Sequence, residues 1–234
     1  MEERNVPLQE RLRIQYQEIF RSRWNSEPMQ RELLEVGRGN THGTLYLYGG
    51  YVYRTILSSL DYDAPIRWEG GKVDIDFVAD RLTERESRYE GWQTGIRTFF
   101  GNPRFLKGRY QVDFDSFVNY KGQGEVETPR IENVLAEAPF DIQAISWDCD
   151  KGELVTDPRG IAIRAIYDKK LRINNGKRVH AIAESLKISD EDFLRLKAEE
   201  LGLTPVEESV IVRRAPWGSG DVYEFRRVNL VRIY

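Results

Sequence analysis

The 234-residue chain has a single cysteine, Cys149, so it closes no disulfide within itself and builds no thiolate zinc cluster. Two histidines, His42 and His180, are too few for a histidine-rich metal site. No apolar run approaches the roughly 18–20 residues that a membrane helix needs. Neither charge is in surplus: Lys plus Arg is 35, Asp plus Glu is 38, and the formal net charge is -3. That near-balance excludes a histone-like DNA wrapper and an acidic tail protein. The opening Met-Glu-Glu-Arg-Asn has no basic stretch leading into an apolar one, so the expectation is a soluble, cytoplasmic protein with no membrane partner. What the chain does have is core material. Hydrophobic residues make up 40% and aromatics 12%, which excludes a disordered chain. The length fits one domain of ordinary size with a small appendage.

Periodicity divides the chain into three parts. Residues 1–43 read as an N-terminal helical segment. In 7–25, Leu8, Leu12, Tyr16, Ile19 and Trp24 recur at helical spacing behind Pro7, which suits a first turn. A short helix over 28–36 stops near Gly37, and Gly37 to Gly43 reads as a loop. Residues 44–173 alternate strand and helix. Strands are expected at 44–48, 73–78, 109–118, 140–147 and 153–156. Helices are expected at 51–60, at 81–99 capped by Asp80, at 129–138 from Pro129, and at 160–170. Residues 174–234 read as an appendage of two helices, 176–187 and 190–201, and a hairpin. Ser189 and Asp192 form a capping box, and Gly202 suits the second helix's stop. The fold class expected is α/β (α+β), a small mixed sheet backed by helices and bearing acids at one edge.

Those acids are the sharpest chemical feature. In Val73-Asp74-Ile75-Asp76-Phe77-Val78, strand alternation puts Asp74 and Asp76 on one face and Val73, Ile75 and Phe77 on the other. Two adjacent carboxylates repel, and one pKa rises unless a cation lies between them. An oxygen-rich pair of this kind suits magnesium, which binds through a few carboxylates plus substrate phosphates. A solvated strand face is the plainer reading. Two further features favour the cation. Gly49-Gly50 lies between a strand and a helix, where bare backbone N–H groups approach a phosphate. Val112-Asp113-Phe114-Asp115 is a second acidic strand, and Asp113, in preference to Asp115, supplies a third acid. Three carboxylates from neighbouring strands suit two metal ions and an in-line displacement.

Leu45-Tyr46-Leu47-Tyr48-Gly49-Gly50-Tyr51-Val52-Tyr53-Arg54, followed by Val73-Asp74-Ile75-Asp76, resembles the nucleotidyltransferase superfamily. The likeness is strongest to the head domain of bacterial poly(A) polymerases and tRNA CCA-adding enzymes, with their Gly-Gly-x-Val-Arg-Asp turn and Asp-x-Asp strand. Phe140-Asp141-Ile142-Gln143-Ala144-Ile145 with Asp157-Pro158-Arg159-Gly160 is similar to the family's Asp-Phe-Thr-Ile-Asn-Ala strand and Asp-Pro-x-Gly-Gly turn. Lys170-Leu171-Arg172 falls where the family has Lys-x-Leu-Arg. The resemblance covers about 44–173. It implies metal-dependent transfer of a nucleoside monophosphate from ATP or another nucleoside triphosphate to an acceptor hydroxyl, on RNA or another molecule. It implies that Gly49 and Gly50 cradle the triphosphate, that Arg54 reaches a phosphate, and that Asp74, Asp76 and Asp113 hold two Mg2+ ions, or Mn2+ in their place. There are departures. Tyr53-Arg54 shifts the family arginine by one position, and Glu137-Ala138-Pro139 stands where the family has Arg-Arg-Asp. They motivate the alternative, a non-catalytic module of this fold that binds a nucleotide or nucleic acid.

The remaining features carry less. His42 reads as a surface residue and His180 as structural, and Cys149 has no base beside it in sequence. Trp92, Phe99, Phe100 and Phe105 read as core. Arg213, Arg214, Arg226, Arg227 and Arg232, with Trp217 and Tyr223, make the last hairpin basic and aromatic. A solvated face is favoured there over a single-strand binding surface.

Overall fold

The computed structural model describes residues 7–60, 71–83, 88–98, 101–120 and 130–206, and the backbone of 209–214 and 221–226. Two helices come first, α1 (Leu8–Asn25) and α2 (Gln30–Asn40). The strands β1 (Thr41–His42) and β2 (Tyr46–Tyr48) lead into α3 (Gly50–Leu60). Then come β3 (Val73–Ala79), β4 (Arg81–Leu82), β5 (Gln93–Arg97), β6 (Pro103–Lys107) and β7 (Tyr110–Ser116). After a 3-10 turn at Phe117–Tyr120 follow α4 (Ile131–Ala136), a 3-10 turn at Asp141–Gln143, β8 (Ile145–Asp148), β9 (Glu153–Thr156) and α5 (Ile161–Asp168). The chain continues through β10 (Lys170–Leu171), α6 (Gly176–Leu186), α7 (Asp190–Leu201), β11 (Thr204–Pro205), β12 (Ser209–Arg214) and β13 (Asp221–Arg226). No described helix is long and apolar enough to cross a membrane.

One seven-stranded mixed sheet organises the chain, in the order β5-β6-β7-β3-β2-β8-β9. Within it β3 and β7 run parallel, and the other neighbours are antiparallel. Register sorts its side chains into rows. Trp147, Leu47, Phe77 and Phe114 line up across β8, β2, β3 and β7, and all four are buried. Helices α1 and α2 cover that face. The Phe20 ring of α1 lies 4.9 Å from Trp147. A Cβ at Gly37 of α2 would come within 2.8 Å of Leu45 and 3.3 Å of Phe77, so glycine lets α2 close on the sheet. Tyr16, Phe20 and Trp24, four residues apart, form the buried stripe of α1. Each large apolar side chain so buried contributes about 1.5–3 kcal/mol. One residue along each strand, the next row faces the other way: Ser146, Tyr48, Asp76, Asp113 and Arg104.

Several expectations need correction. The helix expected over 81–99 is not formed. Arg81–Leu82 pairs antiparallel with Thr41–His42, and Gln93–Arg97 pairs with β6. Gly91 and Gly95 sit at φ +75° and +78°, outside helical space, and Gly95 falls where the β5–β6 register slips. The strand β6 (Pro103–Lys107) was not expected from the sequence. The loop expected over 37–43 is partly helix. Helix α2 runs on to Asn40, whose side chain donates to the Val36 carbonyl at 2.8 Å. The strand expected over 140–147 is confined to 145–148, because Asp141 turns the backbone by accepting from the Ile142 N–H at 2.8 Å. Phe20, missing from the expected face of α1, is fully buried, whereas Leu8 is exposed.

Other elements match within a residue or two, including β9 pairing back on β8. In α7 the Ser189 hydroxyl accepts from the Asp192 N–H at 3.0 Å, and Gly202 closes the helix at φ +66°. Trp92 and Phe105 are buried as expected. Phe99, Phe100, Pro129, Trp217, Arg227 and Arg232 lie outside the described residues, as do the side chains of Arg213, Arg214, Tyr223 and Arg226.

Candidate active site

The row facing away from α1 and α2 opens into a cleft of about 590 Å3. Strand β3 delivers Asp74 and Asp76 to one face because they are two residues apart. Strand β7 delivers Asp113, directly opposite Asp76 in the parallel register. Carboxylate oxygens of the three approach within 4.8 Å of one another. Asp115, the other possible third acid, sits opposite Val78 instead. It accepts from the Ser116 N–H at 2.8 Å, from the Tyr120 hydroxyl at 2.8 Å and from the Asn119 amide, so its lone pairs serve the turn that follows β7.

The cluster is electrostatically strained. Burial pushes the Asp76 carboxyl well above the usual range, and the negative charges of Asp74 and Asp113 push it further. Asp74 is raised for the same two reasons, burial first and then Asp113, although the Gln111 amide donates to it at 2.9 Å. Arg104 answers this charge by direct hydrogen bonds. Opposite Asp113 across β6 and β7, it donates to that carboxylate twice, from Nε at 2.7 Å and from a terminal nitrogen at 2.5 Å. The donor set is all oxygen, and two of its members, Asp74 and Asp76, are raised in pKa by burial and by the neighbouring carboxylates. That chemistry fits a hard divalent cation, which would relieve both burial and repulsion.

Beside the acids, the end of β2 turns sharply into α3. Gly49 has φ +72°, and a Cβ there would lie 2.8 Å from an Asp76 carboxylate oxygen. Glycine is therefore required both by the backbone and by the close approach. Gly50 begins α3, so the N-terminal end of that helix lies at the cleft. Arg54, one turn on, also lines the cleft. It pairs with Glu200 of α7, and its guanidinium lies 5.6 Å from the Tyr53 ring centre. Lys197 lines the cleft as well and donates to Glu200 at 2.8 Å. Burial opposes the charge on Glu200, but the bonds from Lys197 and Arg54 win and hold it below the usual carboxylate range.

All six residues singled out from the sequence, Gly49, Gly50, Arg54, Asp74, Asp76 and Asp113, line this one cleft. Others were missed. Arg104 had no signal, because its strand was not recognised. Lys197 and Glu200 sit on a helix whose charges look like any solvated face. Tyr48 and Tyr120 stack edge-on beside the acids, 6.5 Å between ring centres, and burial raises both hydroxyls above their ordinary pKa. Of the second similar stretch, Gln143 reaches the cleft. Asp141 instead accepts from the Arg172 N–H at 3.0 Å, and Asp157 accepts from the N–H groups of Arg159 and Ile161 at 2.9 and 2.8 Å.

Outside the cleft, His42 is exposed, and His180 lies 3.2 Å from Asp190 on the surface. Burial pushes the Cys149 thiol up, away from the reactive thiolate form.

No family model matches this chain, and no curated protein matches it. Solved structures do. A CCA-adding enzyme in complex with ATP is 18% identical and superposes with a TM-score of 0.51, covering 84% of this chain and 41% of that one. A CCA-adding enzyme of Bacillus stearothermophilus in complex with CTP is 21% identical with a TM-score of 0.48, covering 76% of this chain and 41% of that one. An apo tRNA-processing enzyme, 21% identical with a TM-score of 0.48, covers 76% and 44%. At such identities the likeness concerns the fold. The chain spans less than half the length of each of these structures.

Proposed function

We propose that this chain, whose fold is nucleotidyltransferase-like, transfers a nucleoside monophosphate from a nucleoside triphosphate to an acceptor hydroxyl, the acceptor oxygen bonding to the α-phosphorus as the bond to pyrophosphate breaks. The observation that carries the reading is the row of Asp74, Asp76 and Asp113, with oxygens within 4.8 Å, on the wall of a cleft floored by the Gly49–Gly50 turn. In this reading the three carboxylates hold two Mg2+ ions, with Mn2+ able to replace them. Bound there, the metal neutralises triphosphate charge and makes the acceptor hydroxyl easier to deprotonate.

The chain's own groups do the rest. The N–H groups at the start of α3 and the helix dipole favour the triphosphate's negative charge. Arg54, held by Glu200, offers a positive group whose position is fixed before substrate arrives. Asp113 accepts the proton of the attacking hydroxyl, directly or through water. Catalysis is then positioning and charge neutralisation rather than covalent chemistry. RNA is the proposed acceptor. The net charge of -3 supplies no long-range attraction for it, so binding must come from local surface.

One observation favours the second reading, a binding module without turnover: both oxygens of Asp113 are engaged by Arg104. Label transfer decides between the two. The panel is the four α-labelled nucleoside triphosphates with Mg2+ or Mn2+, and the acceptors are total RNA, bulk protein and the chain itself. Transfer to RNA that the double variant Asp74→Ala/Asp76→Ala loses is the expected result. Nucleotide binding without transfer to any acceptor, unaffected by Asp74→Asn, favours the binding module instead.

A further inference from the structure

Arg104 is one of the groups in the cleft that the sequence did not reveal, and its pairing raises a question of charge balance. Asp74, Asp76 and Asp113 together carry three negative charges when ionised. Arg104 supplies one positive charge through a two-pronged bond to Asp113 alone. Arg104 stands opposite Asp113 across β6 and β7, and Asp113 stands opposite Asp76. The guanidinium therefore sits where a divalent ion shared by the three acids would feel it as a like charge a few ångströms away. The pair is partly open to the cleft: the Arg104 side chain is 30% exposed and that of Asp113 16%. Arg104 stands on β6, next to the edge strand of the sheet, so its side chain can swing without disturbing the row buried beneath α1 and α2. The other cations of the cleft are placed differently. Arg54 and Lys197 both hold Glu200, and Lys72 is exposed.

We propose that Arg104 is an exchangeable cation: it holds Asp113 in the empty cleft and passes to the triphosphate when a metal-bound nucleotide enters. A guanidinium matches phosphate oxygens in the same two-pronged geometry it uses on a carboxylate, so the exchange replaces one pair of charged hydrogen bonds with another. Release of Asp113 opens its oxygens to the metal at the moment the triphosphate arrives. Metal and nucleotide then tighten each other's binding by one shared factor, because coupling between two ligands is reciprocal. Metal alone binds weakly.

This inference rests on the nucleotidyl-transfer reading, but it fails separately from it. The measurement is Mn2+ binding to the full chain, followed by loss of the free-ion resonance signal. It is made with and without each of the four α,β-methylene nucleoside triphosphates. Wild type is expected to bind Mn2+ weakly alone and about tenfold or more tightly with a nucleotide analogue. Arg104→Gln is expected to bind Mn2+ alone about tenfold more tightly than wild type and to gain little from the analogue. Arg104→Lys keeps the charge without the fork and should fall between the two. It also carries the test if melting curves show that Arg104→Gln does not fold. Mn2+ affinity unchanged by both substitutions, or an undiminished gain from nucleotide, overturns the exchange. Binding that ignores Asp74→Asn/Asp76→Asn overturns the nucleotidyl-transfer reading itself. Binding that responds to those changes but not to Arg104 overturns the exchange alone.

Discussion

The molecule holds two kinds of aspartate, and they differ in what faces them. Asp148 and Asp157, both almost fully buried, are caged by their own loops. Asp148 accepts from the N–H groups of Asp150 and Lys151 at 3.0 and 2.9 Å. Asp157 accepts from those of Arg159 and Ile161 and from the Arg159 side chain at 3.1 Å. Asp74 and Asp76 face other carboxylates and a cleft. A caged carboxylate is finished by folding, since its acceptor capacity is used within its own turn. One that faces its like is left for something positive that arrives later.

The largest effect expected is at the cleft. Asp74→Asn with Asp76→Asn should lower nucleotidyl transfer by about a thousandfold. It should also raise the melting temperature of the metal-free protein, because it removes two strained charges. A fall in melting temperature would mean the cleft acids are structural after all, and the comparison breaks. Next comes the caged group. Asp157→Ala strands buried N–H groups and should cost about 2–4 kcal/mol in urea unfolding. The fraction that remains folded should show normal transfer. Gly49→Ala tests the turn beside the acids. The left-handed backbone alone costs about 1–2 kcal/mol, and the added methyl crowds Asp76, so metal affinity should fall with stability.

Acidity sharpens the contrast further. Asp74 and Asp76 have folded pKa values raised by burial and by neighbouring negative charge. Between the ordinary carboxylate value of about 4 and those raised values, the native state binds more protons than the unfolded chain. Stability of the metal-free protein should therefore fall as pH rises through that window. Asp76→Asn or saturating Mg2+ should flatten the slope. The smallest effect is expected at Asp141. It is raised to about 6 by burial, even though the Arg172 and Ile142 N–H groups lower it. Asp141→Asn keeps the side-chain carbonyl as acceptor for both N–H groups but gives up the Arg172 guanidinium, 3.4 Å from the other oxygen, and should cost about 1 kcal/mol in urea unfolding.

The Phe140–Ile145 and Asp157–Gly160 stretches supported the resemblance to nucleotidyltransferases as sequence; in the structure their aspartates brace their own turns, and Gln143 reaches the cleft. The helix expected over 81–99 failed because strand pairing overrode local preference. Residues that avoid strands in general can still be held in one by pairing, and Gln93–Arg97 is held by β6.

By itself the sequence determined what is local. Alternation in Val73–Val78 puts Asp74 and Asp76 on one face whatever the neighbours, because side-chain direction on a strand repeats every two residues. The spacing of Tyr16 and Trp24 likewise marks one stripe of α1. Only the tertiary structure decided which strands lie side by side. The parallel register of β3 with β7 puts Asp113 against Asp76, the hairpin to β6 puts Arg104 against Asp113, and the packing of α7 brings Glu200 to Arg54. Those partners are separated in the chain by 37, 9 and 146 residues. For the distant pairs no local periodicity reports the pairing, which is fixed by how the whole sheet and its helices bury their apolar faces together.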